Sequence, residues 1–138
     1  MYKWKKIEIS SESNFGRYGH AAVEFKNGFL IYGGERQFNM ALKIRDCLND
    51  LKYFNYDLKE WKAFKTWGDF SEIRTNHGAV FLSKLMIIYG GVNNNGRILK
   101  DVMFLNLGNK NVLFFIFFQR NIKMAECRFG EVTIKSFS

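Results

Sequence analysis

The sequence predicts an all-β chain built from two copies of one four-stranded unit. Three observations lead there. Five landmarks recur at a single offset: Trp4 and Trp61, Arg17 and Arg74, His20 and His77, Tyr32 and Tyr89, and Gly33 and Gly90 are each 57 residues apart. Short β-branched and aromatic runs end at Gly, Asn, Asp or Ser, and Pro is absent, so those residues must make the turns. No comparable stretch carries a 3.6-residue apolar period, the signal a helix would need.

The elements follow in chain order. WKKIEIS, starting at Trp4, alternates apolar and basic residues and reads as a strand with one solvated face. HAAVEF (from His20) and its copy HGAVFL (from His77) are short strands closed by the turn signals KNG and SK. FLIY and LMIIY follow, apolar without alternation, as expected of strands covered on both faces. Each closes on a glycine doublet, Gly33-Gly34 and Gly90-Gly91. Glycine weakens a strand, so its use twice at one place implies a positive φ or a backbone approach that no Cβ would survive. A phosphate-cradling loop would need more than a bare doublet.

The second half of the unit recurs with a shorter offset of 51: Asp50 matches Asp101, Tyr53 matches Phe104 and Asn55 matches Asn106. Six residues are therefore lost between doublet and third strand, where ERQFNMALKIRDCL is replaced by VNNNGRIL. Length variation of this kind marks a loop. LKYFNYD and VMFLNL read as third strands, and EWKAFKT as a half-exposed fourth strand.

Composition excludes several classes. The net charge of +8 is spread rather than clustered, and basic and aromatic residues do not interleave on a nucleic-acid module, so no nucleic acid partner is expected. The densest apolar run, Val112 to Phe118, falls far short of the roughly 20 residues that span a bilayer. No membrane partner and a cytoplasmic location are the expectation. Cys47 and Cys127 lack CxxC spacing, so neither a disulfide framework nor a zinc site is indicated.

Together RYGHAAV, FLIYGG and NDLKYFNYDLKEW resemble the kelch repeat, one blade of a β-propeller; RTNHGAV, LMIIYGG and KDVMFLNL repeat it, with Val112 at the Trp61 position. The resemblance covers residues 1 to about 112 and implies a partial β-propeller of about two four-stranded kelch blades, preceded by one outer strand. It implies that the His-bearing strand is innermost and the Trp-bearing strand outermost. The expected bounds are an outer strand at 1–10, blade one at 17–67 and blade two at 74–118, with 113–138 an atypical Phe-rich tail. Closed propellers have about four to eight blades. The expectation is therefore a truncated or misread portion of a longer propeller, with the tail foreign to the fold; self-association completing the ring is the alternative.

Arg17, His20, Gly33, Gly34, Trp61, Arg74, His77, Gly90 and Gly91 recur once per unit, which argues for blade-fixing roles rather than chemistry. His20 and His77 have no carboxylate or thiol at ligand spacing, so no metal is expected. No nucleophile and base are spaced for catalysis. The chain is read as non-catalytic and without cofactor. What remains is binding. The resemblance implies that one propeller rim holds protein partners, here through the loops containing Arg36, Phe38, Lys43 and Arg45, and Asn93, Asn94 and Arg97, with SSESNFG and WGDFSEI beside them. Cation plus aromatic is a common interface pairing. The expected function is a protein–protein interaction module, a scaffold or adaptor; the alternatives are a galactose-oxidase-like enzyme fragment and a sugar- or actin-binding propeller.

Overall fold

The computed structural model describes residues 3–9, 16–41, 43–66, 72–108, 111–118, 121–128 and 131–137, with backbone alone for 37–39, 44 and everything beyond 108. The described elements are all strands: β1 (Ala21–Glu24), β2 (Gly28–Tyr32), β3 (Glu35–Asn39), β4 (Ile44–Cys47), β5 (Leu51–Asn55), β6 (Glu60–Ala63), β7 (Gly78–Leu82), β8 (Leu85–Tyr89), β9 (Val102–Asn106), β10 (Asn111–Phe118), β11 (Asn121–Arg128) and β12 (Glu131–Phe137).

One sheet runs β1-β2-β5-β6 and is blade one. A second runs β7-β8-β9-β10 as blade two and continues through β11 to β12. Every pairing is antiparallel, and the two blades share register. Val23 faces Leu30 as Val80 faces Ile87, and Leu30 faces Tyr53 as Ile87 faces Phe104. Phe54 faces Trp61 as Leu105 faces Val112. The offsets read from sequence are thus the offsets of the hydrogen-bond ladders. A slip of one residue would send every side chain to the opposite face.

The core is the seam between the blades. Val23, Phe25, Leu30, Tyr32 and Leu51 of blade one pack on Met86, Ile88, Met103, Leu105 and Leu107 of blade two. Burying each such aliphatic or Phe side chain contributes about 1.5–3 kcal/mol relative to leaving it in water. Phe25 sits edge-on to Tyr53, Phe64 and Phe81, with ring centroids 6.0, 5.8 and 5.8 Å away. On the opposite face of blade one, Trp61 lies 5.3 Å from Phe29 and 5.1 Å from Phe54, tying the outer strand to the two inner ones.

Residues 3–9 carry no strand pairing among the described residues, so no ladder there tests the expected outer strand. Three features differ from the sequence reading. The long first loop is not plain loop, since β3 and β4 form a hairpin within it. The Phe-rich segment is not set apart from the sheet. Its backbone pairs with β9, Phe114 opposite Met103, and β11 and β12 extend the same sheet. Finally, β8 is covered on one face only: Met86 and Ile88 are buried against blade one, whereas Tyr89 is exposed.

The glycine doublets terminate β2 and β8 in the left-handed region, with φ of 61° and 88° at Gly33 and Gly34 and 70° and 94° at Gly90 and Gly91. A Cβ on Gly34 would lie 2.8 Å from the Tyr18 carbonyl oxygen and 2.9 Å from His20 Cβ; on Gly91, 2.6 Å from the Thr75 carbonyl oxygen and 2.9 Å from His77 Cβ. Sign of φ and lack of space both demand glycine there.

Candidate functional site

Each unit opens on a buried arginine that reaches across its own blade. Arg17 Nη1 donates to Asp50 Oδ1 at 2.6 Å and to the Gly33 carbonyl at 3.0 Å, while Nη2 donates to Asp50 Oδ2 at 3.0 Å. Arg74 repeats this on Asp101 at 3.1 and 2.7 Å and on the Gly90 carbonyl at 2.9 Å. A planar guanidinium meets a carboxylate with two parallel bonds, so the pair fixes direction as well as distance. It ties the entry of the unit, the doublet and the start of the third strand into one corner. Desolvation alone would raise the Asp50 carboxyl; the hydrogen bond and charge of Arg17 outweigh it and hold the group below its ordinary value. Asp50 and Asp101 were aligned from sequence but not matched to their arginines, because the pairing spans a loop of different length in each copy.

The two histidines occupy equivalent places in unequal surroundings. His77 lies buried in the seam, edge-on to Tyr32 with ring centroids 5.4 Å apart, whereas His20 is exposed. Burial first, and then the charge of Arg74, pushes His77 down to about 4; the Tyr32 backbone offsets this only in part. A neutral, packed imidazole is a structural element. Among the described residues no group of three or more His, Cys, Asp or Glu is placed to hold a metal. Burial also raises the Cys47 thiol, with Glu35 adding to the effect, so it is held away from the reactive thiolate form.

The surface that remains is one rim, built from the loops that differ between copies. The β3–β4 hairpin is anchored by Glu35, fully buried, whose Oε1 accepts from Arg45 Nη1 at 2.7 Å. The Arg45 backbone N–H reaches the Asn94 carbonyl at 3.5 Å and joins the hairpin to the corresponding turn of blade two. In that turn Asn93 is buried, and its Oδ1 accepts from the N–H groups of Asn95 and Arg97 at 3.0 and 2.9 Å. Its Nδ2 donates to Glu72 Oε1 at 2.7 Å, and Glu72 also pairs with Arg97.

The expected binding residues therefore divide. Arg36, Lys43 and Arg97 are exposed on this rim, and Asn94 is half-buried in the joint. Arg45 is engaged by Glu35, and Asn93 is consumed by its own turn. Phe38 contributes a backbone pairing with Arg45; its side chain lies outside the described residues, as do 10–15 of SSESNFG and 67–71 of WGDFSEI. Met40, at the hairpin tip, is largely exposed and was missed, as were the anchors Glu35 and Glu72. The Asn-rich run was a turn signal that could have identified Asn93 as a turn former.

The family described as KLHDC2/KLHL20/DRC7 Kelch-repeats domain matches residues 1–120. The chain is similar to the flagellar outer arm dynein alpha chain of Chlamydomonas reinhardtii, 29% identical over 108 residues, which are 78% of this chain and 2% of that one. It is also similar to the host cell factor homolog hcf-1 of Caenorhabditis elegans, 26% identical over 103 residues, 74% of this chain and 12% of that one. The chain thus spans only a small part of these relatives. Among solved structures YjhT shares its fold at a TM-score of 0.58 and 9% identity, over 88% of this chain and 52% of that one.

Proposed function

The chain belongs to the kelch-repeat family, and from that premise we propose that it is a non-catalytic protein-interaction module that captures a protein partner on the rim made by the β3–β4 hairpin and the Asn93–Arg97 turn. One observation carries the reading: the contact between Arg45 N–H and the Asn94 carbonyl brings together two loops that the repeat leaves free to vary. Arg17, Arg74 and the glycine doublets, which recur, are consumed in the scaffold, while Arg36, Lys43 and Arg97, which do not recur, are exposed on the loops that vary, as is Met40. Binding residues concentrate on loops held by a rigid frame. Exposed cations and an apolar tip on these loops, with Arg97 paired to Glu72, fit a partner surface that offers acidic residues and an apolar contact. The free thiol of Cys47 suits the reducing cytoplasm, where we place the module.

The test is capture by the full chain from extract of its source cell, compared with an R36E/K43E/R97E variant of unchanged circular dichroism. Loss of the captured protein, by about tenfold or more in affinity, is the expected outcome. Equal capture by both chains would remove the rim from the binding surface.

A further inference from the structure

Blade two turns outward a face that matches, position by position, the face blade one has already buried. Val80, Leu82 and Tyr89 are 56%, 64% and 59% exposed, whereas their counterparts Val23, Phe25 and Tyr32 are 7%, 8% and 2% exposed in the seam. Ile87, Val102 and Phe104 stand where Leu30, Leu51 and Tyr53 stand. The seam within the chain therefore shows what this second face is shaped to receive.

Its polar groups say the same. In the seam Arg74 N–H donates to the Leu48 carbonyl at 3.2 Å, Gly34 N–H donates to the Arg74 carbonyl at 2.9 Å, and His77 lies on Tyr32. A Cβ on Gly33 would meet the Arg74 carbonyl oxygen at 2.7 Å and His77 Cε1 at 2.8 Å. Gly90 has the same backbone twist, yet its nearest atom is the Leu99 carbonyl oxygen at 3.5 Å. The space that an Arg-x-x-His segment fills at blade one is open at blade two. Gly91 N–H and the Leu99 carbonyl, which correspond to Gly34 and Leu48, have no partner among the described residues.

We propose that a second copy of this chain docks there head to tail, its Arg17–His20 segment over Gly90 and Tyr89 and the Ala22-bearing side of its blade one on Val80 and Leu82. The chain carries the matching part itself: His20 is exposed at the position His77 occupies in the seam. Ala22 is exposed and Phe29 half-buried at the positions that Ala79 and Met86 hold in the seam, while Ile31, at the position of Ile88, is already buried within the chain. Glu24 and Lys52 replace Phe81 and Met103, making the contact weaker than the internal one. Lys52 enters it already beside Asp50, at 3.8 Å. Such a contact is heterologous and closes into a ring when its rotation divides the circle. Rings of about four to eight blades correspond to about two to four copies.

Sedimentation of the full chain across a concentration series tests this, with Val80→Asp blocking one face and Ala22→Arg the other, both at exposed positions. The wild type is expected as one discrete species of about two to four copies, and each variant alone as a folded monomer. An equimolar mixture of the two variants is expected to pair into a dimer that grows no further. A monomeric wild type overturns the proposal, as does a mixture that stays monomeric. An A22R chain that still pairs shows a self-matched contact of blade-two faces and also overturns it. A mass that climbs without limit overturns the ring.

Discussion

Tyr32 and Tyr89 are the same residue at the same place in two copies of one blade, and they live in different solvents. The first is sealed between sheets with His77 against its ring; the second faces water. The same holds for Val23 and Val80 and for His77 and His20. The local hydrogen-bonded frame is common to both copies, down to the arginine–aspartate pair. Burial is not. It belongs to the contact between blades, so one sequence motif supports an energetic role in one copy and an available surface in the other.

The sharpest way to break this comparison is to truncate both tyrosines. Tyr32→Ala opens a cavity in the seam and is expected to cost about 3–5 kcal/mol in chemical denaturation. Tyr89→Ala on the monomeric V80D background is expected to change stability by less than about 0.5 kcal/mol, as for surface sites. Equal losses would mean that the tyrosine acts within its blade rather than between blades.

A finer comparison uses the doublets. On the monomeric V80D background, Gly33→Ala and Gly90→Ala share the strain of a left-handed alanine, about 1–2 kcal/mol. Gly33→Ala alone also drives a methyl into the Arg74 carbonyl and His77, adding about 1–3 kcal/mol of overpacking. Thermal unfolding that ranks Gly90→Ala as the worse substitution would contradict the open space described there.

The last comparison concerns pH. The folded chain resists protonating His77 until about 4, whereas an unfolded histidine binds its proton near 6.5. Between these values the unfolded state holds more protons, so stability falls as pH drops through that window, by up to about 1.4 kcal/mol per pH unit. Above about 6.5 the contribution is fully present. His77→Gln is expected to flatten that slope while His20→Gln leaves most of it. Denaturation curves between pH 4 and 7 decide the matter, and a slope that survives in His77→Gln refutes the assignment.

Much of the frame was legible beforehand because antiparallel ladders impose register, and register imposes recurrence. The offsets of 57 and 51 are the spacing of Val23↔Leu30 from Val80↔Ile87 and of Phe54↔Trp61 from Leu105↔Val112. The rim was legible only in part. Its loops were found by their unequal lengths, but Arg45 and Asn93 proved to hold the rim together, and Glu35 and Glu72 carried no repeat to betray them. The β3–β4 hairpin was hidden because its register shifts between Glu35 and Phe38, which breaks the alternation that marks a strand.

Taken by itself, the sequence determined the repeated unit, its four strands and the places where only glycine fits, since these follow from backbone sterics and local hydrogen bonding. Which copy of each pair is buried was decided by tertiary structure alone. Hydropathy reads Val23 and Val80 alike; only the second sheet lying against the first takes one of them out of water.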